Sequence, residues 1–212
     1  MRSIYMDNIE RTINLFSKAD LRANLDGASY FIMIYESFTD MLEYYVKSFF
    51  ENYSIEDGEL ITKLSPKYEE LFLKNNFKLK NGQVRTGSLY ARLDWFKSMG
   101  AIDDNEIQLV DAARLRRNTI VHEFFNTLQE GLGEEDARLM SGLLLLYMKI
   151  DNWYFKNVEA ELAWDEIPEG ADLDNSYSLN TMFLRAIYQI LFMDKGDEYD
   201  KALRDLLEKI RK

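Results

Sequence analysis

This sequence predicts an all-α fold, an up-and-down bundle with additional C-terminal helices, and three observations carry that expectation. Apolar residues recur at spacings of three and four through most of the chain, the period of an amphipathic helix. Only two prolines, Pro66 and Pro168, stand in 212 residues, which suits long uninterrupted helices. No run alternates apolar and polar residues in the manner of a half-buried strand.

The elements follow in order. Asp7 to Lys18 reads as a first helix with Ile9, Ile13 and Phe16 on one face. Gly27 to Asn52 reads as a long one, because Tyr30, Ile34, Phe38, Leu42 and Tyr45 repeat at helical spacing. Ser65-Pro66 pairs a capping hydroxyl with proline at the first helical position and opens a helix towards Asn75. Asn76 to Arg85, with Asn81-Gly82, reads as a turn. Ser88 to Met99 is a helix that Gly100 stops.

The acidic run Asp103-Asp104-Asn105-Glu106 suits a helix N-terminus, and that helix is expected to reach about Leu128. Gly131 and Gly133 break it. Glu134 to Leu162 is the next long helix, with Leu139, Leu143, Leu146, Ile150 and Trp153 inward. Trp164 to Asn175 is an acidic loop without a basic residue, followed by helices over Leu179 to Met193 and Glu198 to Ile210. The expected organisation is a bundle over residues 1–162, the acidic loop over 163–176, and C-terminal helices over 177–212 packing on the bundle.

Composition narrows the function classes. The absence of cysteine removes disulfides and thiolate metal sites, and one histidine removes a multi-histidine metal site within a chain. No phosphate-binding glycine loop, dinucleotide fingerprint or nucleophile elbow is present. Asp172-x-Asp174 begins like a calcium loop, but Tyr177 stands where the turn glycine belongs. No metal or cofactor is expected. Charged residues interrupt the N-terminal region, and the apolar run Leu143 to Met148 is too short to cross a membrane, so a cytoplasmic protein without membrane contact is expected. The net charge of −11 requires that any nucleic-acid contact be local.

The sole histidine lies in Arg114-Leu-Arg116-Arg117-Asn118-Thr119-Ile120-Val121-His122. Arg114, Asn118 and His122 fall at i, i+4 and i+8, one stripe of a helix. Arg117 lies roughly 140° around the helix from His122, within reach for a long side chain. Its guanidinium suits bidentate contact with phosphate.

This segment resembles the HEPN superfamily, whose signature is Arg, a polar residue, three to five further residues, then His. Arg117 matches the Arg, Asn118 the polar position and His122 the His, with Ile120, Val121, Phe124 and Phe125 as typical apolar surroundings. Upstream, Gly87-Ser-Leu-Tyr-Ala-Arg92-Leu, then Gly100-Ala-Ile102 and the acidic helix start, is similar to the HEPN-like mannitol operon repressor group. The two matches span Gly87 to Phe125, under a fifth of the chain. The resemblance implies a HEPN-type bundle that dimerises with two motif helices facing each other. It also implies an RNA-cleaving activity without a metal, in a toxin or phage-defence effector that an antitoxin or regulatory protein could control. Members that have lost catalysis act as interaction or regulatory domains, which is the alternative for this chain.

The chemistry is reasonable independently. RNA is cut when a 2′-hydroxyl attacks the adjacent phosphorus, which needs a base, an acid and positive charge on the phosphorane. Histidine suits either proton role. A chain with one histidine would need a two-fold dimer to supply two. Arg117 would hold the phosphate, while Asn118 would orient His122 or bond the sugar. Glu36, a charge inside an apolar helical stretch, is an auxiliary candidate or a buried partner for an arginine. Tyr90 and Arg92 are candidates for lining the cleft. Against these stand plainer roles: a structural helix histidine, a salt bridge for Arg117, a surface amide for Asn118, and a solvated face for Arg114 and Arg116.

Overall fold

The computed structural model describes residues 18–56, 59–72, 76–79, 82–162, 167–168 and 170–193. The expected helices over Asp7 to Lys18 and Glu198 to Ile210 lie outside these residues, save Lys18 itself. The described chain is mostly helical. Helix α1 runs Lys18–Phe50, α2 Pro66–Phe72, α3 Ser88–Ser98, α4 Asp104–His122, α5 Phe124–Glu130, α6 Glu134–Tyr154 and α7 Leu179–Phe192.

Helix α1 is the central post, 33 residues long or about 50 Å. Its apolar stripe of Tyr30, Ile34, Phe38, Leu42 and Tyr45 is buried, as the spacing predicts. Helices α3, α4, α5, α6 and α7 all pack on it, and α4 also packs on α6. From α6 come Leu139, Leu143, Leu146 and Ile150, each buried, while Trp153 is only partly so. Burial of each large apolar side chain contributes about 1.5–3 kcal/mol, so these stripes hold the bundle together. Helix α7 lies against α1, where Tyr30 donates to the Leu184 carbonyl at 3.2 Å and its ring meets Tyr188 and Phe192.

Local signals behave as their chemistry demands. The Asp103 carboxylate accepts from the Asn105 and Glu106 backbone N–H groups while Glu106 accepts from the Asp103 N–H, closing a capping box on α4. Gly100 stops α3 with φ 77°, a conformation glycine adopts without a Cβ penalty. Helix α6 continues through a π-helical turn, Phe155–Glu159, into a last α-turn at Ala160–Leu162, so helical backbone persists as far as expected.

Three expectations need correction. Two antiparallel hairpins interrupt the helices: β1 (Glu51–Glu56) with β2 (Glu59–Leu64), and β3 (Asn76–Lys78) with β4 (Val84–Thr86). Helix α1 therefore ends before Asn52, and the expected turn at Asn76 to Arg85 is a short hairpin. The strands escape period-two reading because β1–β2 stands out from the core, with Tyr53 and Ile55 exposed, and β3–β4 is only three residues wide. Finally, the motif helix does not run straight to Leu128. It ends at His122, and α5 starts afresh at Phe124 although no proline or glycine stands there.

Candidate functional site

Helix α4 carries its polar side chains against the polar side of α1. Along α1, Glu36, Asp40 and Glu43 repeat at four and three residues, a charged stripe on an otherwise apolar helix. Opposite them stand Arg114, Arg117 and Asn118 from α4 and Arg92 from α3. Together these side chains border an open groove of about 380 Å³.

Arg117 forms an ion pair with Glu36 and donates to the Asn118 side-chain oxygen at 3.3 Å. Its guanidinium also lies 6.0 Å from the centre of the Tyr35 ring. Arg92 is almost wholly buried and pairs with Glu43 at 2.8 Å. Two donors remain over: the buried Nε groups of Arg92 and Arg117 have no hydrogen-bond acceptor. The Glu36 oxygen nearest Arg117 faces it as an ion pair without hydrogen-bonding geometry. A buried N–H without an acceptor costs about 1–3 kcal/mol, so both arginines are held here at some expense in stability.

A second layer braces the arginines. Buried Asp111 accepts a bidentate pair from Arg85, at 3.0 and 2.9 Å, and also holds Arg114 at 3.3 Å. Tyr90 donates to Asp111 and accepts from Arg114 Nε at 2.7 Å. Burial works to raise the Asp111 carboxyl, but the Arg85 and Tyr90 donors outweigh it and hold the group below the usual carboxylate range. Burial, with Tyr90 nearby, pushes the Tyr35 phenol up to about 12, so Tyr35 is a neutral wall. Glu43 is held below its ordinary range, chiefly by the Lys47 ammonium and then by Arg92.

The structure thus brings Arg117, Asn118, Glu36 and Arg92 to one groove. Tyr90 lies behind it and acts through Asp111 and Arg114. His122 is not among the lining residues. It stands exposed on the last turn of α4, about 6 Å along the axis beyond Asn118. In the same stretch of chain Leu115, Val121, Phe124 and Phe125 are exposed as well.

Sequence reasoning gave Arg114 and Arg116 to a solvated face, and the structure corrects both. Arg114 lines the groove, as its place on the Asn118–His122 stripe could have signalled. Arg116 points away and forks onto buried Asp136 at 2.5 and 3.0 Å, and Asp136 also caps the N-terminus of α6. Glu43 was missed, although it lies seven residues beyond Glu36 on the same face. Among the described residues no group of three or more His, Cys, Asp or Glu side chains is arranged to hold a metal ion. Likewise, no helix among them is long and apolar enough to cross a membrane. Comparison with protein-family models, curated proteins and solved structures gives no match.

Proposed function

We propose that this chain is a HEPN-type, metal-independent endoribonuclease, acting in the cytoplasm as a toxin or phage-defence effector. The observation that carries this reading is the convergence of Arg92, Arg114 and Arg117 beside Asn118, with two buried guanidinium N–H donors lacking acceptors, in a protein of net charge −11. A local cluster of arginines on an acidic body, exchanging Glu36 for phosphate at Arg117, is how such a protein would hold a phosphodiester without binding nucleic acid everywhere.

In the proposed reaction the 2′-hydroxyl oxygen attacks the neighbouring phosphorus as its proton passes to a base. The bond to the 5′-oxygen then breaks, and an acid protonates the leaving oxygen. The products are a 2′,3′-cyclic phosphate and a 5′-hydroxyl. Arg117 bears the phosphorane charge, Arg114 holds the strand, Arg92 braces the groove from beneath through Glu43, and Asn118 orients the sugar or His122. His122 from each of two chains supplies the proton transfers. Its exposure at a helix end, in a stretch where Leu115, Val121, Phe124 and Phe125 are exposed too, supports a two-fold interface there.

Two expected results test this reading. Purified protein incubated with total RNA in EDTA should cut it, and a His122→Ala control should not. Loss of cutting in chelator with recovery on adding magnesium would remove the metal-independent mechanism. Light scattering at micromolar concentration should report a homodimer, and replacing Phe125 by Glu should yield monomer. A monomeric parent would remove the paired-histidine scheme.

A second reading has its own support. Glu36 and Glu43 already occupy two of the arginines, and the body is acidic. A non-catalytic interaction or regulatory domain, similar to the mannitol operon repressor group and bound by a protein partner, would look like this. RNA left intact at high protein concentration would select it.

A further inference from the structure

A second, larger cavity lies on the other side of Asp40 from the arginine groove. It encloses about 1210 Å³ between α1, the end of α6 and the segment that leads into α7. Asp40 borders both spaces, so they lie next to each other on α1. Their linings differ in kind. In the groove Arg92, Arg114 and Arg117 face Glu36, Asp40 and Glu43; the cavity presents the rings of Tyr44, Phe155, Tyr177 and Phe183, the carboxylates of Asp40, Asp151 and Glu159, and one guanidinium, that of Arg185.

Several features mark this cavity as built to receive something planar. Tyr44 and Phe183 are each 63% exposed, Tyr44 meeting the Tyr45 ring only in a tilted contact at 5.7 Å, whereas the Tyr45 ring is stacked on Tyr154 at 4.1 Å. Phe155 and Glu159 are the first and last residues of the π-helical turn. Such turns are rare and frequent at functional sites, and this one sets a ring and an acceptor on the same wall. Asp151, by contrast, is committed: it accepts from Tyr45, Ser178 and Thr181. Asp40 and Glu159 carry no hydrogen bond or ion pair among the described residues and remain as acceptors.

We propose that this cavity is a base-binding pocket for a single-stranded RNA whose backbone lies in the arginine groove, and that it selects guanine. The proposal rests on the RNA reading above and adds the base specificity to it. Charge sorts the nucleotide: in the cavity three carboxylates stand against the single guanidinium of Arg185, whereas in the groove three arginines balance three carboxylates, so the phosphate belongs in the groove. Open rings supply stacking, which every base accepts. The carboxylates supply the choice. Guanine alone offers two adjacent donors on its Watson–Crick edge, the N1–H and the 2-amino group, matching the two oxygens of one carboxylate. Uracil offers one donor flanked by two carbonyls, which a carboxylate repels. Adenine and cytosine set one amino donor beside a lone pair.

The test separates pocket from backbone. Guanosine, adenosine and uridine, which lack phosphate, are titrated by ligand-observed NMR; U8 and U8 with one central G are titrated by fluorescence anisotropy. Guanosine should bind on the order of tenfold more tightly than uridine, and the single G should improve RNA binding similarly. Asp40→Asn should erase the guanine advantage without lowering U8 affinity, since it takes a negative charge from the border of the arginine groove. Tyr44→Ala should weaken guanosine and uridine alike and remove the guanine advantage with the stacking. Both positions are exposed, so neither change should unfold the bundle. Arg117→Ala should weaken both RNAs equally. RNA binding with no base preference, or a preference surviving both pocket variants, overturns the pocket and leaves the RNA reading standing. Guanosine binding that depends on Tyr44 without any RNA binding keeps the pocket and overturns the RNA reading. Equal displacement of guanosine by tetramethylammonium would make the cavity a general cation site and also overturn the proposal.

Discussion

His122→Ala is expected to leave RNA affinity nearly unchanged and to lower the cleavage rate on the order of 10²–10⁴-fold, the usual cost of losing a general acid or base. The asymmetry follows from position. His122 lies beyond the groove that would hold the phosphate, so binding does not depend on it. Arg117→Ala should do both kinds of damage, because the ground-state phosphate is already an anion and the phosphorane is more so. It also frees Glu36, whose charge would then face the bound phosphate. Arg117→Lys should recover part of the binding and little of the rate, since an ammonium cannot reproduce a planar fork. The control must be chosen with care. Arg116, one residue away, anchors buried Asp136, and its loss would unsettle the start of α6. Arg138 is well exposed, with only surface pairs to Glu134 and Glu135, and Arg138→Ala should cut like the parent. If single-turnover kinetics show His122→Ala and Arg117→Ala cutting as fast as Arg138→Ala, the motif assignment is wrong.

What the sequence disclosed is what helical spacing can encode. The stripes Tyr30 to Tyr45 and Leu139 to Ile150 repeat at three and four residues, and both are core. Glu36 stood out as a charge among apolar neighbours, and it does meet an arginine, 81 positions away in the chain. What spacing cannot encode is which polar stripe faces which. The pairing of Arg92 with Glu43, and of Arg85 with Asp111, depends on how α3 and the β3–β4 hairpin settle against their neighbours. The hairpins were hidden for a different reason. Phe49 and Phe50 prolong the apolar rhythm of α1 to its very end, where Phe50 packs against Tyr68, Phe72 and Trp95. Beyond it Tyr53, Ile55 and Leu64 are exposed, so no buried face imposes alternation. The dipeptide Asp57-Gly58 was the available signal, since Asp-Gly is a preferred two-residue hairpin connection.

The largest loss of stability from a single polar substitution is expected at Asp151, and the reason is the number of groups that depend on it. Its carboxylate is 2% exposed and none of its hydrogen-bond partners is a cation. It accepts from the Tyr45 hydroxyl on α1, from the Ser178 backbone N–H at 2.7 Å and from the Thr181 hydroxyl at 2.6 Å. Ser178 in turn caps α7 through the Thr181 N–H, so one side chain of α6 ties α1 to the start of α7. Asp151→Ala would strand three donors at the wall of the large cavity, where water could reach some of them. At about 1–3 kcal/mol for each unsatisfied group, and allowing for partial recovery by solvent, the loss should be about 3–5 kcal/mol. In a chain of this size that corresponds to a fall in melting temperature of roughly 10 °C. Asp151→Asn should fall between, because its amide oxygen can still serve one donor while its NH₂ confronts another. Thr181→Val, which removes one donor together with its need, should cost far less. Amide exchange should show α7 losing protection before α1 and α6, because α7 loses its anchored N-terminus while their apolar stripes stay packed. A melting point within 2 °C of the parent for Asp151→Ala would mean that apolar packing alone seats α7.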